Sequence, residues 1–302
     1  MTWASTRSAL KQVGNAWLDD HVPRMGAALA FYTTFSMAPL LLIVIAVAGA
    51  VFGEDAARGE IQSQLRSLMG DNGAAAVQDL LVSVHKPGEG LAAAALGAVL
   101  LLLGATTVFG ELQDALDRIW RVPTVNPHSG WLALVRARLL SFGMILAIGF
   151  LLTVTLIVSA GLASVGRSLQ PVFGGWVAVA TLVNAAVSFG ITAALFALIY
   201  KTMPRVRVEW ADVWFGVLIT ATLFTIGKFL IGLYIGRSGV TSAFGAAGSL
   251  VVVLLWVYYS AQIFLIGAQI TWVYANRFGS RSGLGVEGGR AAVNHPAFHL
   301  PP

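Results

Sequence analysis

The feature that most constrains this chain is a series of six windows, each holding about 20 mostly apolar residues, the length at which a helix crosses the hydrocarbon of a bilayer. They run from Ala27 to Phe52, Leu91 to Phe109, Leu139 to Ala163, Val177 to Tyr200, Val213 to Ile235 and Ala246 to Tyr274. Lipid offers no partner to backbone N–H and C=O groups, so each window is expected as a helix that satisfies its own. Leu96 to Leu103 carries no polar residue, a pattern that no amphipathic surface helix shows. Only 11% of the 302 residues are charged and 57% are hydrophobic, against roughly 25% charged in a soluble globular domain. A water-soluble globule is excluded. The expected fold class is all-α, a polytopic membrane protein with six transmembrane helices.

Orientation follows from where Lys and Arg fall, because basic residues are retained on the cytoplasmic side. Arg7, Lys11 and Arg24 precede the first span, Arg118, Arg121, Arg136 and Arg138 follow the second, Lys201, Arg205 and Arg207 follow the fourth, and Arg277, Arg281 and Arg290 follow the last. The alternate segments hold only Arg58, Arg66, Lys86, Arg167 and Arg237. Both termini are therefore expected in the cytoplasm. The same distribution accounts for the net charge of +5 without nucleic acid, since the basic residues form no aromatic-interleaved stripe of the kind single-strand binders use.

Three segments outside the spans carry structure of their own. Residues 1–26 place Trp3, Leu10, Val13 and Trp17 at helical spacing, which suits an interfacial anchor helix or, alternatively, a partner-binding arm. Within the six-span domain at 27–278, the outer segment 53–90 repeats apolar residues at Ile61, Leu65 and Leu68 and again at Val77, Leu80, Leu81 and Val84. It reads as two short amphipathic helices with Gly70, Asp71, Asn72 and Gly73 as the turn, resting on the membrane surface or capping an opening between spans. The second span continues inward as a helix with Leu112, Leu116, Ile119 and Trp120 on one face, ending at Pro123 and Pro127. The tail, 279–302, is rich in Gly and Pro without periodicity and is expected to be disordered.

Little in the chain suits catalysis. With no cysteine there is no thiolate ligand or nucleophile, and His21, His85, His128, His295 and His299 lack metal-ligand spacing. No Walker motif or nucleophile elbow occurs. The expectation is a protein without catalytic residues, metal or cofactor.

All 14 acidic residues fall outside the six windows, which argues against a proton antiporter with an intramembrane carboxylate relay. Lys228 is the one ionisable Lys, Arg, Asp or Glu inside a window; it is a candidate for an anionic headgroup or substrate, or a lysine that snorkels to the interface. Pro39 interrupts the first span beside Tyr32, Thr33, Thr34 and Ser36, so the freed Phe35 carbonyl is expected to meet a hydroxyl or a cavity. Tyr258, Gln262 and Gln269 share one face of the last span and should turn inward, as interhelical glue or as the lining of a polar path. At the inner mouth of the second span stand Glu111, Gln113 and Arg118, where Glu111 could serve as a cap or pair with Arg118.

Three stretches carry a resemblance. Ala27 to Leu41 (AALAFYTTFSMAPLL), Phe109 to Trp120 (FGELQDALDRIW) and Gly245 to Tyr258 (GAAGSLVVVLLWVY) resemble, in order, the YihY/BrkB family of bacterial inner-membrane proteins, formerly labelled ribonuclease BN. The resemblance implies a multi-pass protein of the bacterial cytoplasmic membrane and covers about residues 20 to 278. Family members have been linked to serum resistance and to transport of lipid A precursors. Where the family often has Gly-Ala-Glu, this chain has Gly267-Ala268-Gln269, so a role that needs a carboxylate there is not expected. The functional expectation is a non-enzymatic transporter or handler of an anionic or amphipathic, lipid-like substrate, along a path lined by the first, fifth and last spans, with membrane lipids as partners. The alternative is a scaffold that binds an envelope protein through the outer helical hairpin. Ribonuclease activity is disfavoured, because no carboxylate or histidine cluster is present to hold metal.

Overall fold

A computed structural model of the chain describes residues 3–84, 107–122, 176–237, 243–244 and 247–282. Most of the expected second span, all of the third and the tail beyond 282 lie outside these residues. What is described is helical, with no strand: α1 (Trp3–Asp19), α2 (Val22–Phe52), α3 (Glu54–Val84), α4 (107–119), α5 (Trp176–Thr202), α6 (Trp210–Arg237) and α7 (Gly248–Arg277). Among the described residues, Ala185–Thr202, Trp210–Arg237 and Gly248–Arg277 are long and apolar enough to cross a membrane.

Helix α2 starts at Val22, five residues earlier than its apolar window, because Pro23 sits in its first turn, where a missing N–H is no loss. It continues as one helix through Pro39. The nearby hydroxyls do not serve the Phe35 carbonyl: Thr34 Oγ1 donates to the Ala30 carbonyl at 2.7 Å and Ser36 Oγ to that of Thr33 at 3.1 Å. Both prefer the preceding turn, which lies within reach of a short side chain.

Helices α6 and α7 run antiparallel and meet through small residues. A Cβ on Gly216 would collide with the Thr271 hydroxyl, and one on Gly267 with the Thr220 hydroxyl. Each threonine in turn donates to the glycine four residues before it, Thr220 to Gly216 at 2.7 Å and Thr271 to Gly267 at 2.8 Å. The two Gly-x-x-x-Thr units therefore interlock without an unpaired hydroxyl. Tyr200 of α5 closes the junction: fully buried, it donates to the Phe264 carbonyl at 2.6 Å and lies 3.3 Å from Thr220 Oγ1.

Two apolar cores occupy opposite ends of this bundle. One joins Val22, Leu116, Ile119, Trp120, Val213 and Leu265. The other joins Ile45, Met69, Val77, Ile231, Ile235 and Val253. Helix α3 supplies Met69 and Val77 to the second core, so it is packed into the bundle rather than only resting on a surface. It bends at Gly70, whose φ of 75° and ψ of 177° are non-helical. The turn expected over residues 70–73 shrinks to that glycine, since one residue without a Cβ suffices to redirect the chain.

Candidate functional site

Four segments far apart in sequence converge at the end of the bundle that holds the first core. They are the α1–α2 junction, the end of α4, the α5–α6 loop and the end of α7, which are the segments whose arginines set the expected orientation. Arg277 Nη1 donates to Ser8 Oγ at 2.7 Å, joining the end of α7 to α1.

Asp20 is the centre of this assembly. The chain leaves α1 at Asp20 and turns through His21, whose φ of 56° is left-handed, before Val22 begins α2. That sharp turn drives the Asp20 side chain inward, where the residue is only 5% exposed. Gln269 of α7, fully buried, donates from Nε2 to Asp20 Oδ2 at 2.6 Å. Arg121 Nη2 lies 3.4 Å from Asp20 Oδ1. Gln269 Oε1 has no hydrogen-bond partner among the described residues.

Asp117 of α4 forms a second buried anchor. Its Oδ1 accepts from the Arg205 backbone N–H at 2.8 Å, and Oδ2 lies 3.3 Å from Arg205 Nη1. Burial pushes the Asp117 carboxyl above its ordinary range, and this outweighs the backbone bond and the Arg205 charge that pull it down. Gln113 on the same helix donates to the Met203 carbonyl at 3.2 Å and accepts from Arg205 Nη2 at 3.4 Å. Asp212 at the start of α6 accepts from the Ser280 hydroxyl at 2.6 Å, which holds the chain leaving α7.

Of the residues selected from sequence, Gln113 and Gln269 are drawn into this cluster. Gln262 makes a long contact to the Val22 carbonyl at 3.5 Å, beside Gly26, where a Cβ would collide with it. Tyr258 packs with the second core. The Tyr258/Gln262/Gln269 face thus points to the start of α2, and its two glutamines act between helices. Glu111 and Arg118 form no ion pair with each other, and Arg118 is exposed. Ser36 is buried and Tyr32 lies edge-on to Phe31, whereas the Pro39 side chain is outside the described residues.

Lys228 stands apart from that cluster. It is half-buried on α6, and none of the ion pairs among the described residues includes it. Its neighbours Ile226, Phe229 and Leu230 are exposed, Phe229 by 71%, as expected of a face turned to lipid. Ala30 of α2, Ile231 of α6 and Val257 of α7 belong to the second core.

Asp20, Asp117, Arg121 and Asp212 were not selected from sequence as site residues. All four fall outside the apolar windows, where solvent exposure is the default for a charge. For Asp20 a signal did exist, in the short His21-Val22-Pro23 break between two helices.

The virulence factor BrkB family model matches residues 13–288. The chain is 30% identical over 263 residues to a UPF0761 membrane protein of Ralstonia nicotianae, covering 85% of this chain and 55% of that protein. To one from Verminephrobacter eiseniae it is 28% identical over 261 residues, covering 85% and 58%. To one from Pseudomonas aeruginosa it is 28% identical over 253 residues, covering 83% and 59%. This chain spans a little over half the length of those relatives. No solved structure matches. With the family model spanning nearly the whole chain, this integral membrane protein belongs to the virulence factor BrkB family.

Proposed function

We propose that the protein is a non-enzymatic, multi-pass protein of the bacterial inner membrane that handles an anionic or amphipathic, lipid-like substrate. The observation that carries this reading is Lys228, a half-buried cation on a membrane-length helix with no acidic partner among the described residues. An unpaired ammonium in hydrocarbon is costly, and an anionic headgroup is its natural counter-charge. Phe229 and Leu230 beside Lys228 are exposed, so the substrate route favoured here runs along that side of α6. Six spans complete the reading, with the arginine-rich end in the cytoplasm as the positive-inside rule requires.

The test is substrate movement in proteoliposomes that contain phosphatidylglycerol or phosphatidylcholine labelled on the headgroup. Lys228→Gln and Lys228→Met should lower movement of the anionic lipid about tenfold and leave the zwitterionic one unchanged, the scale expected when one buried charge contact is lost. Unchanged rates in both variants would remove Lys228 from the function and favour the scaffold reading. That reading draws its support from the polar groove on α3 lined by Gln62, Arg66, Asp71, Asn72, Gln78 and Asp79.

A further inference from the structure

The ends of α4 and α7 exchange cations. Arg121, just past α4, lies with its guanidinium 5.2 Å from the ring centre of Trp272 on α7, while Arg281, just past α7, lies 5.3 Å from the ring of Trp120 at the end of α4. The reciprocal crossing sets both guanidinium groups at the arginine-rich end of the bundle, Arg281 over the ring of the residue next to Arg121.

The backbone holds them there deliberately. Arg121 N–H donates to the Arg118 carbonyl at 3.1 Å and Val122 N–H to that of Asp117 at 2.9 Å. This is the bond pattern of a Schellman cap, with Arg121 at the position that glycine usually fills. Its φ of 54° is left-handed, a conformation costly for a residue with a Cβ and retained only where the surroundings determine it. Arg281 is placed by its N–H bond to the Ala275 carbonyl at 3.0 Å and by Nη2 donating to the Arg207 carbonyl at 2.9 Å.

Their donors are mostly unspent on protein. The only acid that contacts either guanidinium among the described residues is Asp20, at 3.4 Å from Arg121, and its side chain is 7% exposed while that of Arg121 is 50% exposed. The outward charge of the patch is therefore positive. A guanidinium held over an indole ring spends no N–H on that contact, and its remaining donors form a planar fork that matches the oxygens of a phosphodiester. The geometry points to a binding site for the headgroup of an anionic phospholipid, gripped between Arg121 and Arg281. The site is separate from Lys228 and does not depend on the transport reading.

The experiment is native mass spectrometry of the full chain released from detergent micelles doped with phosphatidylglycerol, phosphatidylcholine or sodium phosphate. Wild type should retain phosphatidylglycerol in preference to phosphatidylcholine. Arg121→Gln with Arg281→Gln should lower that retention about 25-fold, about fivefold for each basic group, while Arg7→Gln leaves it unchanged. If the double variant does not fold, Arg121→Lys with Arg281→Lys keeps both charges but loses the fork, and should retain less phosphatidylglycerol with phosphatidylcholine unaltered. Equal retention of the two lipids by wild type, or unaltered retention in either folded double variant, would overturn the assignment. Displacement of the lipid by millimolar phosphate would also overturn it, by making a free anion the ligand.

Discussion

The contact between Asp20 and Gln269 offers the sharpest test of the cluster where the helices converge. A hydrogen bond to a charged group contributes about 1.5–3 kcal/mol, and this one is short, at 2.6 Å, and buried. The ion pair of Asp20 with Arg121 is longer, at 3.4 Å, and half of the arginine side chain is exposed, so screening holds its contribution to about 0–1 kcal/mol. Gln269 should therefore dominate. Single substitutions mix several effects: Gln269→Met removes the bond but also removes the unpaired Oε1, whose burial itself costs about 1–3 kcal/mol. A double-mutant cycle of Asp20→Ala and Gln269→Met separates them. Denaturant unfolding in detergent should give a coupling of about 1.5–3 kcal/mol, nearly independent of salt because Asp20 is buried. The corresponding Asp20/Arg121 cycle should give less than about 1 kcal/mol and shrink as salt rises. A coupling below about 0.5 kcal/mol for the first cycle, within the scatter of independent sites, would refute the assignment of Gln269 as the partner that holds Asp20.

Two further outcomes follow from the packing and from burial. Gly267→Ala places a methyl against the Thr220 and Tyr200 hydroxyls and should destabilise by about 1–3 kcal/mol through overpacking, whereas Gly190→Ala, with nothing within 4 Å of the new Cβ, should be neutral or slightly stabilising in thermal melts. For Asp117 the folded carboxyl titrates above its unfolded value because burial disfavours the anion, so the stability linked to its proton is complete in acid and is lost as pH rises through the raised value. Asp117→Asn keeps an acceptor for the Arg205 N–H and cannot ionise; its stability relative to wild type should rise as pH increases above about 4, and a pH-independent difference between the two melts would contradict that cause.

By itself the sequence determined that the protein is helical and lives in a membrane. Runs such as Val213 to Ile235 leave no other way to satisfy a backbone in lipid, and the pattern holds at every position along the run, so it is legible without knowledge of neighbours. The inward face of Tyr258, Gln262 and Gln269 was legible for the same reason, because helical periodicity places residues relative to their own axis. What those residues meet was not. Asp20 and Gln269 are separated by 249 positions, and only the packing of the α1–α2 turn against α7 makes them partners. Asp20, Asp117 and Asp212 read as solvated charges because they lie outside the apolar windows, yet all three are buried where the segments at the bundle end fold over one another. The exchange of Arg121 and Arg281 across Trp272 and Trp120 belongs to the same class. It depends on a left-handed arginine in a place where local preference favours glycine, and only contacts from other helices can hold a side chain against its own backbone preference.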